Sequence, residues 1–287
     1  MAAGLVKNAK KWNMVIDLGL CNDCNCCFMA DKDEFTGNDW APFSVAQPWE
    51  GARWIDIERK ERGQFPQIQV VHKPGHCMHC DDAPCMAAAP GIIYKREDGI
   101  VIIDPVKAKG NKALVDSCPY GAIDWSEEAD VAQKCTGCAH LIDQGWTQSR
   151  CSQACPTGAT RLVLADDAEM AERIEKDGLQ AYKPELGAKP RVYYKNLYRW
   201  NNVFVAGSAY FADSGDCAEG CEVTVFKDGV VAGTAVSNNF GDFLVDKLDA
   251  GAEYTVTVKA AGYKPVERKA VPTAASLTLP AVALEKA

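Results

Sequence analysis

The feature that most constrains this chain is the spacing of its cysteines. The sequence has 287 residues and 14 cysteines, and most of the cysteines stand in tight groups. The first group is Cys21-Asn22-Asp23-Cys24-Asn25-Cys26-Cys27, which contains C-x2-C-x2-C, and a distant stretch, Cys151-Ser152-Gln153-Ala154-Cys155-Pro156, ends in C-x3-C-P. Both spacings are typical of metal ligands, because a short loop can point several thiolates at one centre.

Iron–sulfur chemistry explains this spacing best. In bacterial ferredoxins the run C-x2-C-x2-C-x3-C-P binds cubane clusters, and its fourth cysteine binds the other cluster. Three thiolates on one loop hold three corners of a cube, so a distant segment must supply the fourth ligand. Structural zinc is the alternative for a lone C-x2-C pair, but this chain has three cysteine triads and two Cys-Pro endings.

The other cysteine groups follow in the same half of the chain. Cys77-Met78-His79-Cys80 continues to Cys85 as C-x2-C-x4-C, and Cys118 stands alone before Pro119. Cys135-Thr136-Gly137-Cys138 is followed after twelve residues by Cys151. His76 and His79 are candidate ligands, but packing or hydrogen bonding to sulfur is favoured because the thiolates already complete the sites.

Composition and charge disfavour several other functions. The formal net charge of −8 argues against nucleic acid as a partner. No apolar run approaches the ~20 residues of a membrane span, and residues 1–15 lack the apolar core of an export signal, so we expect a cytoplasmic protein. We find no nucleophile with a base, no phosphate-binding glycine loop and no flavin motif, so we expect no catalytic residue on this chain.

The pattern of elements predicts an α+β fold with two domains, 1–200 and 201–287. In the first domain we expect strands at 12–18, 53–59, 92–95 and 100–103, and the Asp98-Gly99 turn between the last two predicts a hairpin. We also expect a helical turn at 27–34, and a helix over 166–176 with Asp166 and Glu169 as caps and Gly178 as its end. Residues 183–200 are interpreted as a surface tether. The second domain is predicted to be a β-sandwich with strands at 222–227, 230–236, 242–245, 253–259, 266–271 and 276–279.

The cysteine groups resemble those of the iron–sulfur subunits of molybdopterin oxidoreductases related to dimethyl sulfoxide reductase. Within that family, the small subunits of the pyrogallol–phloroglucinol transhydroxylase and resorcinol hydroxylase type resemble nearly the whole chain. The stretches that carry the resemblance include Met14-Val15-Ile16-Asp17, residues 54–59, 94–101 and 118–121, and, as the longest, residues 189–199.

The resemblance implies three 4Fe–4S clusters. In the family the first and fourth cysteine groups exchange their last ligand, and so do the second and third. The implied ligands are Cys21, Cys24, Cys27 and Cys155 for cluster 1, Cys77, Cys80, Cys85 and Cys118 for cluster 2, and Cys135, Cys138, Cys151 and Asp31 for cluster 3. The positions for a fourth family cluster hold Ala89, Ala108, Asn111 and Leu114, so its whole ligand set is missing.

Asp31 is the unusual member of this set, because a carboxylate is a harder donor than a thiolate and should alter the cluster potential. Three interpretations remain: Asp31 ligates a 4Fe–4S cluster, the cluster is 3Fe–4S, or Cys26 replaces Asp31. The first is favoured, since Cys26 lies next to Cys27 and should point elsewhere. Cys217 and Cys221 are left over, and we expect them to be free buried thiols.

The resemblance also implies the fold and the function. It implies two ferredoxin-like modules joined head to tail with their clusters in a line, and a transthyretin- or prealbumin-like C-terminal sandwich. It implies a heterodimer whose large subunit holds molybdenum or tungsten on two pterin guanine dinucleotides and acts on phenolic rings. Assembly of several heterodimers into a larger oligomer is compatible with the resemblance. This chain would transfer electrons. The alternatives are the same role in an anion-respiring or formate-type enzyme, or clusters that are mainly structural.

Overall fold

A computed structural model describes residues 10–272 and 275–287 and divides the chain into two compact units. The N-terminal unit comprises the chain up to Glu58 and His72–Leu197, and the C-terminal unit comprises Arg59–Val71 and Tyr198–Ala287. Residues 1–9, where we expect no export signal, and residues 273–274 lie outside the described residues. Within the described ranges, no helix combines the length and apolar character needed to span a bilayer.

The N-terminal unit is built from short strands and helices that alternate with loops. In chain order it contains β1 (Lys11–Asp17), α1 (Cys26–Phe35), the outer ends of the hairpin strands β2 (Ile55–Gln64) and β3 (Gln67–His76), whose residues 59–71 belong to the C-terminal unit, α2 (Pro84–Ala88), β4 (Ile93–Lys95), β5 (Val101–Ile103), β6 (Asp124–Ser126), β7 (Val131–Gln133), α3 (Ala139–Asp143), α4 (Arg150–Gln153), β8 (Thr160–Ala165), α5 (Asp167–Asp177), β9 (Gln180–Ala181) and β10 (Val192–Lys195). Short 3-10 helices cover Lys112–Ser117 and Pro184–Leu186.

The largest sheet of this unit has the strand order β8-β1-β10-β9. β1 pairs antiparallel with β8 and parallel with β10. The predicted strand at 12–18 is therefore confirmed, and so is the hairpin of β4 and β5, which turns through Gly99 at a φ of 87°. β1 runs directly into the first cysteine loop, so the sheet anchors that loop.

The helix predicted over 166–176 is confirmed as α5. Asp166 accepts hydrogen bonds from the N–H groups of Ala168 and Glu169, and the Glu169 carboxylate accepts one from the Asp166 N–H. This reciprocal capping box satisfies donors that the first turn of a helix leaves free. Gly178 ends the helix at a φ of 62°, in the left-handed region that glycine adopts without strain.

The interpretation of residues 183–200 as a surface tether is wrong. Residues 192–195 form β10, which lies between β1 and β9 inside the sheet. Val192 and Tyr194 are buried, and the Tyr194 hydroxyl donates to the Pro74 carbonyl at 3.0 Å. The tyrosines, lysines and arginines suggested exposure, yet their long side chains bury apolar stems and rings while their polar ends find partners.

The C-terminal unit contains two four-stranded sheets. Besides residues 59–71 of the β2–β3 hairpin, it contains α6 (Tyr198–Asn201), β11 (Val203–Phe211), β12 (Glu222–Lys227), β13 (Val230–Val236), β14 (Asp242–Leu248), β15 (Tyr254–Lys259), β16 (Val266–Ala270), β17 (Leu277–Thr278) and β18 (Val282–Leu284). One sheet has the order β13-β12-β15-β16, and the other holds β14, β11, β17 and β18. Side chains from both sheets share one apolar core.

The strands predicted after residue 220 are confirmed, but β11 was not predicted. Its first five residues are all buried, so it lacks the alternation of buried and exposed positions that marks a half-buried strand. Gly207 within it faces Phe243 so closely that a Cβ would lie 2.6 Å from the ring. The C-terminal unit also includes residues 59–71, which were predicted to belong to the first domain.

Candidate metal centres

The twelve candidate ligands line three cavities of the N-terminal unit, four residues to each cavity. The three sets are Cys21, Cys24, Cys27 and Cys155; Cys77, Cys80, Cys85 and Cys118; and Asp31, Cys135, Cys138 and Cys151. We name these the first, second and third quartets. They are the same sets that the family resemblance implies.

Each quartet lines a cavity, and its ligand atoms do not converge on a single point. The cavities contain about 280, 320 and 550 Å³ that protein atoms do not fill, including the part open to solvent. No three His, Cys, Asp or Glu side chains among residues 10–272 and 275–287 converge closely enough to hold one metal ion. A zinc ion draws its ligands to about 2.0–2.3 Å, so this spacing suits a polynuclear cluster better than zinc.

The three C-x2-C loops share a positive φ at the same position. The residue before the second cysteine is Asp23, His79 or Gly137, and each has a positive φ, of 61°, 44° and 63°. This left-handed turn directs the N–H of that residue back toward the first cysteine. The turn at His79 was not predicted from the sequence and is a finding of the structure.

Hydrogen bonds reach most of the sulfurs that these loops present. Backbone N–H groups donate from Asp23 to Cys21, from His79 to Cys77 at 3.4 Å, from Gly137 to Cys135 at 3.4 Å, and from Arg150 to Cys138 at 3.4 Å. The hydroxyls of Ser149 and Thr157 lie 3.2 and 3.6 Å from the sulfurs of Cys151 and Cys155. Such bonds stabilise thiolates and are one way in which a protein sets the potential of a cluster.

Two short helices connect the first and third quartets. α1 carries Cys27 and Asp31, and α4 carries Cys151 with Cys155 just beyond its end. Both pairs are four residues apart, so each helix presents one ligand to each of two cavities. The charges of Cys27 and Cys151 are close enough to influence each other. These two quartets are therefore direct neighbours.

The third quartet also adjoins the second. The charge of Cys77 contributes to the raised pKa of Cys135, after burial and the charges of Asp31, Cys151 and Cys138. His79, in the second cysteine loop, lines the cavity of the third quartet, and a Cβ on Gly137 would lie 3.5 Å from its Nε2. The three cavities thus follow one another in the order first, third, second.

Without a cation, these thiols resist ionisation. Burial raises the pKa of Cys27 and of Cys80 to about 12, and the charges of neighbouring cysteines add to the effect. Burial also raises the pKa of Cys151 to about 11, opposed by the Ser149 hydroxyl. Cys155 differs: burial is outweighed by hydrogen bonds from Thr160, Thr157 and Ala159, and its pKa is lowered. Thiolates gathered in this way need a positively charged centre between them.

Asp31 is placed where a fourth ligand of the third quartet should lie. It is 6% exposed, and burial raises the pKa of its carboxyl to about 6. Oδ2 accepts a hydrogen bond from Gln47 Nε2 at 2.8 Å, and the Trp54 N–H also donates to the carboxylate. Gln47 was not identified from the sequence, because nothing in the sequence relates it to Asp31, sixteen residues earlier.

Two buried histidines provide a further test of whether clusters fit. His79 Nδ1 accepts from the Val101 N–H at 3.1 Å, which leaves the proton on Nε2. Nε2 is buried and has no partner among the described residues, although it lines the cavity of the third quartet. A buried donor without a partner is costly, so this N–H fits a cavity that holds a hydrogen-bond acceptor such as sulfide. Neither histidine belongs to a quartet.

Known proteins with similar sequences identify the family. Residues 68–165 match the family described as a 4Fe–4S dicluster domain. The pyrogallol hydroxytransferase small subunit of Pelobacter acidigallici is 47% identical over 256 residues, which cover 88% of this chain and 92% of that protein. One subunit of the sulfite dehydrogenase of Allochromatium vinosum is 34% identical, over 63% of this chain and 81% of that protein. One subunit of the selenate reductase of Mesobacillus selenatarsenatis is 33% identical, over 65% and 72%.

The chain belongs to the iron–sulfur electron-transfer subunits of the molybdopterin oxidoreductases related to dimethyl sulfoxide reductase. The predicted family is therefore confirmed. Similarity to solved structures is weaker: the 5-hydroxyisourate hydrolase of Klebsiella pneumoniae superposes with a TM-score of 0.25 and 16% identity, over 28% of this chain and 89% of that one. A similarity at this level supports no statement about fold or function.

The cysteines outside the quartets of this iron–sulfur subunit are unpaired. The Cys24 thiol hydrogen-bonds with Cys26 and raises the pKa of Cys26, which places that sulfur beside the first quartet, and Cys26 does not line the third cavity. The interpretation in which Cys26 replaces Asp31 is therefore not supported. Cys221 is buried as expected, but Cys217 is exposed, so the expectation of two buried thiols is wrong for Cys217.

Proposed function

We propose that this chain binds one iron–sulfur cluster in each of the three cavities and transfers electrons through them for a larger catalytic subunit. The ligands are the eleven cysteines and Asp31 of the three quartets. The observation that carries the proposal is the sorting of these twelve residues, from five separate segments, into three cavities of four. A 4Fe–4S cluster accepts and releases one electron at a time.

The residues around the cavities position the ligands and adjust their charge. Left-handed turns direct N–H groups to the first sulfur of each loop, and hydroxyls of Ser149 and Thr157 approach two more. Burial keeps water from most of these sulfurs, while Cys24 of the first quartet is exposed. We infer that the order first, third, second is the path of the electrons, and that the first quartet is the more exposed end.

Iron analysis of the purified chain tests the number of clusters. We expect about twelve irons and as many sulfides per chain from three cubane clusters. Zinc in place of iron, or about four irons, would overturn the proposal.

Substitution of Asp31 by Cys should preserve the iron content and lower one of three midpoint potentials, because thiolate donates more charge than carboxylate. A 3Fe signal in the parent protein would contradict Asp31 as a ligand.

We further propose a heterodimer with a large subunit that holds molybdenum or tungsten on two pterin guanine dinucleotides and acts on phenolic rings. The support is the 47% identity to a protein named pyrogallol hydroxytransferase small subunit. The test is the purified complex: addition of a polyhydroxylated phenol should reduce the clusters, observed by electron spin resonance. Turnover by this chain alone, or clusters that never change oxidation state, would reject the electron-transfer path to that partner.

The proposal extends to the fold of each unit and to the cellular location of the protein. We propose that the N-terminal unit contains two ferredoxin-like modules and that the two sheets of the C-terminal unit form a transthyretin-like sandwich. The positive φ shared by the three C-x2-C loops supports the first part, and the two sheets around one core support the second. None of the fourteen cysteines forms a disulfide bond, as is usual in reducing compartments, which supports a cytoplasmic location. Cell fractionation tests the location.

A further inference from the structure

A buried lysine stands between the second and third quartets. Lys134 follows β7, immediately before Cys135, and is 3% exposed. Its Nζ donates to the carbonyl oxygens of Val101 and Cys135, the latter at 3.1 Å. An ammonium group has three N–H donors, so one donor remains. The side chain lines the cavity of the second quartet, together with Cys77, Cys80, Cys85 and Cys118.

The partners of this lysine do not neutralise its charge. Among residues 10–272 and 275–287, no carboxylate lies within ion-pair distance of Lys134, and its two acceptors are neutral carbonyls. Burial of a charge without a counter-charge is costly, and natural proteins avoid it unless the charge is paired. The other buried cations of this unit obey that rule: Arg191 pairs with Asp81 and Asp167, and Lys73 pairs with Glu58.

The groups that surround Lys134 respond to a positive charge at this position. Cys85, His76 and His79 lie close enough to feel its charge. A histidine side chain is either neutral or cationic, so neither His76 nor His79 supplies a counter-charge. Within the part of the chain that the structure describes, the groups that can offset the lysine are the cysteines of the second quartet, when they are ionised.

We propose that Lys134 supplies the counter-charge of the iron–sulfur cluster in the second cavity and holds the potential of that cluster above those of its neighbours. This inference rests on the proposed function, because it requires a cluster there. A cluster with four thiolate ligands carries net negative charge, and reduction makes it more negative. A fixed cation beside it favours the reduced form, and net charge is among the main determinants of cluster potential. The second cavity would then attract electrons from the third.

The test compares Lys134→Met with Lys134→Arg in the complete protein, by redox titration followed with electron spin resonance. We expect Lys134→Met to lower the reduction equilibrium constant of one cluster about tenfold or more, equivalent to about 59 mV for one electron. The affected signal should be the one that Cys118→Ser removes. Lys134→Arg should stay near the parent value, because arginine keeps the charge. Lys107→Met, at a lysine whose side chain is 60% exposed, is the control and should change nothing.

Each result decides between this inference and others. An unchanged midpoint potential in Lys134→Met, with iron content intact, would overturn the inference and leave the proposed function standing. Loss of one cluster in Lys134→Met but not in Lys134→Arg would support a role for the charge. Loss in both variants would show that Lys134 acts by packing and would also overturn it. Absence of iron–sulfur signals in the parent protein would reject the proposed function itself.

Discussion

The two units of this chain are built on different physical principles. The C-terminal unit is built around one apolar core to which two sheets contribute, and its only buried side chain with a formal charge among the described residues is Arg62, which pairs with Asp246. The N-terminal unit has small apolar clusters, such as the one formed by Phe35, Trp54, Cys138 and Leu141. It also buries Asp31, Lys73, His76, His79, Lys134, His140 and Arg191.

This difference indicates what each unit needs in order to fold. Apolar burial contributes roughly 25 cal/mol per Å², and a shared core lets the C-terminal unit gain that energy without a ligand. In the N-terminal unit, cysteines stand at positions that apolar residues would otherwise occupy, and their burial opposes ionisation. Metal binding therefore becomes part of its folding free energy. We expect the two units to respond differently to the same perturbation.

The largest expected effect follows removal of iron. Anaerobic chelation should remove amide protection from the cysteine loops at 77–85 and 135–155, because these segments are held by their metal centres. β12 and β15 should keep their protection. Hydrogen exchange with mass spectrometry measures both in the same sample. Equal loss in both units, or full retention in the N-terminal unit, would contradict this difference between the units.

A cysteine substitution gives the next largest effect. Cys118→Ser should remove about four of about twelve irons, since Cys118 completes the second quartet from a separate segment. Cys217→Ser is the matched control, because Cys217 is exposed, lies in the C-terminal unit and is outside every quartet. It should keep all the iron. Elemental analysis of both variants is the measurement, and equal iron contents would contradict the proposed ligand sets.

A core substitution in the C-terminal unit should lower the stability of that unit without loss of iron. Leu284 is fully buried in β18, and Leu284→Ala should cost about 2–5 kcal/mol of that unit's unfolding free energy through loss of packing. The iron content should not change. Val230→Ala, at a position 70% exposed, should stay within about 0.5 kcal/mol. Denaturant titration with iron analysis tests both, and iron loss in Leu284→Ala would show that the units are not independent.

The smallest effect concerns the cap of α5. Asp166→Ala removes the acceptor of two backbone N–H groups and should cost about 1 kcal/mol. Glu172→Ala, at an exposed position inside the same helix, should be close to neutral. Thermal denaturation of the iron-loaded chain compares the two variants. If the two substitutions lower the melting temperature equally, the Asp166 cap does not stabilise α5.

Local signals predicted the elements that depend on neighbours in sequence. The capping residues of α5, the Asp-Gly turn between β4 and β5 and the alternating strands after residue 220 act over a few residues, so the sequence carries them directly. The strands β10 and β11 depend on long-range pairing. β10 was mistaken for a surface segment, and β11 lacks alternation because it is buried along most of its length.

The same distinction applies to the candidate site. Cysteine spacing, with the family resemblance, was enough to predict iron–sulfur chemistry and to sort twelve candidate ligands into the three sets that line the three cavities. It did not identify Gln47 beside Asp31 or Lys134 beside the second cavity. Those residues reach the site through the packing of β5, β7 and the segment after α1, so their partners are distant in sequence.

The amino-acid sequence by itself determined which side chains are candidate metal ligands, because donor type and spacing are local and few arrangements satisfy them. Only the tertiary structure decided the order of the three cavities, with the third between the other two. It also decided which charges stand beside them. The reason is that α1 and α4 each present ligands to two cavities at once, and burial turns an ordinary lysine into a cation that needs an anionic partner.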